Sequence, residues 1–146
     1  MAFEWFEPAL SRLRAAVTGM REIGGASSLA EAMDGARAVP AMYLIPMVER
    51  AQEAGPHTGA TDQFIDCRFA VIFAVPALRS TQGSDALLAL DAARAQARQA
   101  LVGWAPDDVS GEPVLYSGGQ LMDVSGARHL WWADEYTLRT YCRSEP

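Results

Sequence analysis

Residues 130–136 read Leu-Trp-Trp-Ala-Asp-Glu-Tyr, and the adjacent tryptophans constrain the fold more than any other feature of the chain. They sit in the second arm of a hairpin-like stretch, 114–141, whose two apolar runs flank Ser125-Gly126. On a strand, successive side chains point to opposite faces. Trp131 and Trp132 therefore demand cover on both sides of a sheet, from helices, another sheet or another subunit. Alternation alone leaves open which of the two is core. It also separates Asp134 from Glu135, so this pair cannot flank one glycosidic bond.

The clearest strand is Phe64 to Val75. Ile65, Cys67, Phe69, Val71, Phe73 and Val75 line one face without interruption. The opposite face is charged in its first half, at Asp66 and Arg68, and apolar in its second, at Ala70, Ile72 and Ala74. The first face reads as core; the charged half should meet solvent or a partner. Upstream, Ala38 to Val48 has Val39, Ala41, Tyr43 and Ile45 on one face. Pro40 and Pro46 cannot donate to a ladder, which predicts an edge or a bulged strand. Between these strands, Glu49 to Gln63 is polar with Gly and Pro at its middle. It reads as an extended hairpin loop that is mobile in the free protein.

Helical spacing marks three other segments. Phe3, Phe6, Leu10, Leu13 and Val17 form an apolar stripe. Pro8 suits a first turn, so a helix from about Pro8 to Thr18 is expected, stopping at Gly19. Ser28 and Glu31 match a capping box opening a brief helix through Met33 that ends at Gly35. The strongest helix is Asp85 to Val102, with Ser84 as N-cap and Gly103 and Pro106 as its end. Here Leu87, Leu90, Arg94, Ala97 and Leu101 follow helical spacing, while Asp91, Arg94 and Arg98 read as solvated charges on the outer flank. A short segment, Arg21-Glu22-Ile23, fits an edge strand. Antiparallel hairpins separated by helices give an α+β fold: an antiparallel or mixed sheet of four to five strands with helices packed mainly on one face. The 146 residues make one domain, 1–146.

Composition removes several function classes. The net charge is −6 and no basic run stands out, which opposes a nucleic-acid footprint. All twelve basic residues are Arg, whose planar fork suits interface ion pairs. The longest apolar stretch, Phe69 to Leu78, is too short to cross a membrane and contains Pro76. The N-terminus is acidic where a signal peptide is basic, so a soluble, cytoplasmic protein is expected. Cys67 and Cys142 match no metal-ligand spacing and read as buried thiols. There is no nucleophile elbow, no HExxH and no CxxC; His57 and His129 read as ordinary polar residues, and no cofactor is implied. A hydrolase or ligand-binding domain using Asp134 or Glu135 would need a second converging carboxylate, such as Asp66 or Asp123.

Several stretches taken together carry a resemblance. FEPALSRLRA, GGASSLAEAMDGARAVPAMYLIPMVERA, FAVIFAV with its following helix, LVGWAPDD, LYSGGQLMD and LWWADEY resemble the tail terminator (tail completion) proteins of long-tailed bacteriophages and prophages. The resemblance spans nearly the whole chain and rests on the order of the set. It implies a compact α/β fold and a ring, generally a hexamer, that caps the head-proximal end of the tail tube. Such a ring stops polymerisation of the tube protein and meets the connector below the head, or the chain is another head–tail connector or neck protein. DNA passes through the bore without specific binding, and the place of action is the virion tail after assembly in the host cytoplasm. The family brings no catalytic residues. Candidate subunit or partner contacts are Asp66, Arg68, Trp131, Trp132, Glu135, Tyr136 and Arg139, with His57 in the loop.

Overall fold

The computed structural model describes residues 4–35, 39–53, 61–76, 83–107, 111–122 and 129–144. Along the chain come α1 (Phe6–Ala16), β1 (Glu22–Gly25), α2 (Leu29–Gly35), β2 (Ala41–Ala51), β3 (Thr61–Pro76), α3 (Gly83–Leu101), β4 (Leu115–Met122) and β5 (His129–Ser144). The strands form one sheet in the order β1-β2-β3-β5-β4. β1 runs parallel to β2 and every other pair is antiparallel, so the sheet is mixed and the fold is α+β.

β3 organises the molecule because its two faces are buried in different ways. Cys67, Phe69, Val71, Phe73 and Val75 enter the main core, where α1 and α3 cover them with Trp5, Leu10, Leu13, Leu90, Ala97 and Leu101. Ala70, Ile72 and Ala74 enter a second, smaller core on the other face, with Tyr43, Ile45, Trp131, and Ala26 and Ala32 from the β1–α2 region. Two helices thus lie on one face and a short one on the other. Across the main face an aromatic row follows the strand register. Trp5 stacks on Phe69 at 4.7 Å, Phe69 on Tyr136 at 5.4 Å, and Tyr136 meets Tyr116 edge-on at 5.5 Å. Phe69, Tyr136 and Tyr116 are consecutive cross-strand partners, the unit by which sheets gain side-chain stability.

Several boundaries differ from the sequence expectation, each for a physical reason. α1 starts at Phe6, not Pro8. Pro8 is its third residue, inside the first turn, where a missing N–H leaves no helical bond unmade. β2 is bulged between Pro46 and Val48, as its prolines suggest, but it is not an edge: β1 and β3 flank it. The expected 49–63 loop is shorter, because Glu49–Ala51 pairs with Ile65–Cys67 and Thr61–Gln63 pairs with β5. Its centre, 54–60, lies outside the described residues with His57, as do Ser125-Gly126 and Asp123. α3 opens at Gly83, so Ser84 is inside the helix and is not its N-cap. Gly103 closes α3 at φ +86, a left-handed conformation that glycine adopts without a Cβ penalty. At α2, the Glu31 N–H donates to Ser28 Oγ over 3.2 Å, while the Glu31 carboxylate accepts from Ser27 rather than Ser28. Cys67 is buried but Cys142 is exposed, and both are free thiols.

Candidate functional site

The Trp-Trp-Ala-Asp-Glu-Tyr segment of β5 splits between the faces as alternation requires. Trp132, Asp134 and Tyr136 face the main core opposite Phe73, Val71 and Phe69; Trp131, Ala133 and Glu135 face the other side opposite Ala74, Ile72 and Ala70. Trp131 is buried in the second core and Tyr136 is wholly buried in the main one. These two candidate contacts therefore fill the subunit's own interior and are closed to a partner. Trp132 is half-buried against the main core.

Asp134 is fully buried, and Arg94 is the reason it can be. Arg94 falls on the apolar spacing of α3 although its charge reads as solvated outer flank, and in the structure it turns inward onto the sheet, with its side chain 16% exposed. Its Nε donates to Asp134 Oδ2 over 2.9 Å and its Nη2 to Oδ1 over 3.0 Å. Asp134 Oδ1 also accepts from Trp132 Nε1 at 2.8 Å and from Tyr116 Oη at 3.0 Å. The guanidinium lies 4.3 Å from the Trp132 ring centre. A buried carboxylate is tolerable only when paired and hydrogen-bonded in this way. The hydrogen bond to Asp134 raises the Arg94 pKa above its ordinary value. Gly119 makes the room: a Cβ there would collide with Asp134 Oδ1 and lie 2.8 Å from Tyr116 Oη. Both Asp134 oxygens are engaged, and Glu135 points to the opposite face. This cluster docks α3 on the sheet; it is not arranged as an acid–base pair. Sequence reasoning missed Arg94 because its partner is 40 residues away.

The accessible site lies on the other face. α2 and the β1–α2 segment cover only one half of it, that of Tyr43, Ile72 and Trp131. Past Ala70 the strands run on, and their outward residues form an open groove of about 820 Å³. Its floor holds Asp66, Arg68, Thr137 and Arg139, and Met47, Val48 and Leu115 stand at its sides. Asp66 and Arg139 are cross-strand partners joined by a 3.0 Å ion pair. Gln52 Nε2 adds a 2.7 Å hydrogen bond to Asp66, which with Arg139 holds the carboxyl below its ordinary range. Arg139 also lies 5.0 Å over Phe64, whose ring packs on Tyr141 at 4.5 Å. Arg50 and Arg68 have no ion-pair partner among the described residues. Met47, Val48 and Leu115 are each between 44% and 55% exposed. The groove unites Asp66, Arg68 and Arg139 from the sequence candidates, and Glu135 lies on the same face. Arg50, Val48 and Leu115 were not foreseen there. Arg50 falls within the expected 49–63 loop, whereas its pairing with Asp66 marks it as strand.

The groove is thus an exposed patch of apolar and arginine side chains on the sheet. The chain matches the family described as Phage tail terminator protein over residues 1–146, and it belongs to that family. It is accordingly a structural protein of the bacteriophage tail, from a family of structural proteins and not of enzymes, acting with other tail or head proteins. Comparison with curated proteins gives no match.

Proposed function

We propose that copies of this chain close into a ring, a hexamer by resemblance to the family, on the head-proximal end of the tail tube. The ring stops tube polymerisation because its far side offers no further tube-type surface, and that side receives the connector below the head. DNA crosses the bore without specific contacts, which the acidic balance of −6 favours.

The observation that carries this reading is the half-open sheet face. A sheet half covered in the monomer exposes Met47, Val48 and Leu115 beside Arg50 and Arg68, which have no ion-pair partner among the described residues. Apolar anchors with arginine are the composition of interface centres. The 54–60 segment, carrying His57, is proposed to reach the tube or connector protein.

Sedimentation velocity and negative-stain imaging of the protein alone and with purified tail tube test the proposal. Ring particles, free or seated at one end of each tube, are expected, with tube growth arrested there. A protein that stays monomeric and ignores tube ends would overturn it. Deleting 54–60 should leave the fold intact and reduce tail joining; normal joining would remove that segment from the proposal.

A further inference from the structure

We infer that the groove of one copy receives the outer ridge of α3 from the next copy. This rests on the ring reading above and names the contact that would build it. The large exposed apolar side chains of the described residues include two sets on different layers of the molecule. Met47, Val48 and Leu115 border the groove on one face of the sheet. Leu87 and Leu88, 53% and 69% exposed, stand on α3, which covers the opposite face.

Charge makes the two sets complementary. Arg50 and Arg68 in the groove lack acidic partners among the described residues. On α3, Asp91 is exposed and likewise unpaired. Its natural helical partner three residues on is Arg94, and Arg94 is turned inward and held by Asp134. The same buried pair that docks α3 therefore leaves an acidic group free on its outer side. Ala92 and Ala95, also exposed, continue the ridge with small side chains, so a helix backbone can approach a sheet closely there. Leu87 and Leu88 are matched to Met47, Val48 and Leu115, and Asp91 to Arg68 and Arg50.

Because the patches differ and lie on opposite layers, the contact is heterologous. Each copy uses its ridge on one neighbour and its groove on the other, and repetition closes a ring if the rotation permits.

Charge reversal tests the pairing. Arg68→Glu and Asp91→Arg are each expected to raise the concentration needed for ring assembly at least tenfold in sedimentation velocity, with thermal unfolding unchanged. Combining both in one chain should restore assembly. Mixing the two single variants should also restore it, through rings in which they alternate. Independently, Val48→Cys with Leu88→Cys, on a Cys142→Ser background, should give a ladder of disulfide-linked oligomers on oxidation, alone or at tube ends. Single-cysteine controls should stop at dimers. Wild-type rings that tolerate both reversals and yield no ladder would overturn this contact while leaving ring formation standing. Absence of any wild-type ring, free or on tubes, would overturn both.

Discussion

Arg94 and Asp134 meet through two parallel hydrogen bonds, Nε to Oδ2 at 2.9 Å and Nη2 to Oδ1 at 3.0 Å, and so join the middle of α3 to β5. The pair is a positional device as much as a stabilising one. It fixes the roll of α3 about its axis, which decides that Leu90, Ala93 and Ala97 face the core and that Leu88 and Asp91 face outward.

Asp134→Ala should destabilise the fold by about 3–5 kcal/mol, because it leaves the Arg94 guanidinium under α3 without its counter-charge. Arg94→Met combined with Asp134→Leu should recover most of that loss, since an apolar pair needs no compensation. Urea unfolding of the three proteins reads both effects. A loss below about 1 kcal/mol for Asp134→Ala would mean that the pair behaves as a surface ion pair.

Gly119→Ala tests the same cluster from the side of space. A methyl at that position overlaps Asp134 Oδ1 and crowds Tyr116 Oη and Trp132 Nε1. Overpacking of this kind costs about 1–3 kcal/mol. The measurement is urea unfolding together with the near-ultraviolet circular dichroism of Trp132. Unchanged stability would show that β4 shifts freely against β5.

Trp131→Ala should act on folding before assembly. The side chain is 3% exposed and packs with Tyr43, Ile72 and Ala133. Large-to-small truncation of a buried tryptophan costs about 3–5 kcal/mol. Differential scanning calorimetry should show a lowered melting temperature in the unassembled protein. A variant with wild-type melting and failed assembly would return Trp131 to the interface.

Acidification should release Asp66 late. Its carboxyl titrates below the ordinary value, first because Gln52 donates to it and second because Arg139 does. A lowered folded-state pKa stabilises the folded protein above the unfolded value of about 3.9. That contribution disappears as pH falls through the lowered folded value. Carboxyl-detected NMR titration should place Asp66 below a free aspartate. Gln52→Ala and Arg139→Ala should each move its midpoint up, because each removes a group that favours the carboxylate. An unmoved midpoint in both variants would deny the groove network.

The charged first half of the Phe64–Val75 strand was legible because polarity along one face of a strand is a local pattern. Asp66 and Arg68 therefore read as facing solvent or a partner before their neighbours were known. The groove around them was not legible. It needs Val48 and Arg50 from β2, Arg139 from β5 and Leu115 from β4, and no spacing rule relates segments so far apart. Arg94 was misread for a related reason. Arg94 lies on the apolar spacing of its helix, but an arginine there reads as a solvated charge until the acid on the sheet that draws it in is known.

The sequence by itself determined that the Trp131-Trp132 strand belongs to a sheet needing cover on both faces, that Asp134 and Glu135 part company, and that the chain is α+β. Each follows from a period of two or of about three and a half residues, which backbone geometry imposes on any chain. Only the tertiary structure decided that Trp131 lies in the small core and Trp132 beside Arg94, and that half of one sheet face stays open. Those outcomes depend on which helix lands on which face. That choice is settled by packing volume and by the partner a buried charge finds, and neither is written in local spacing.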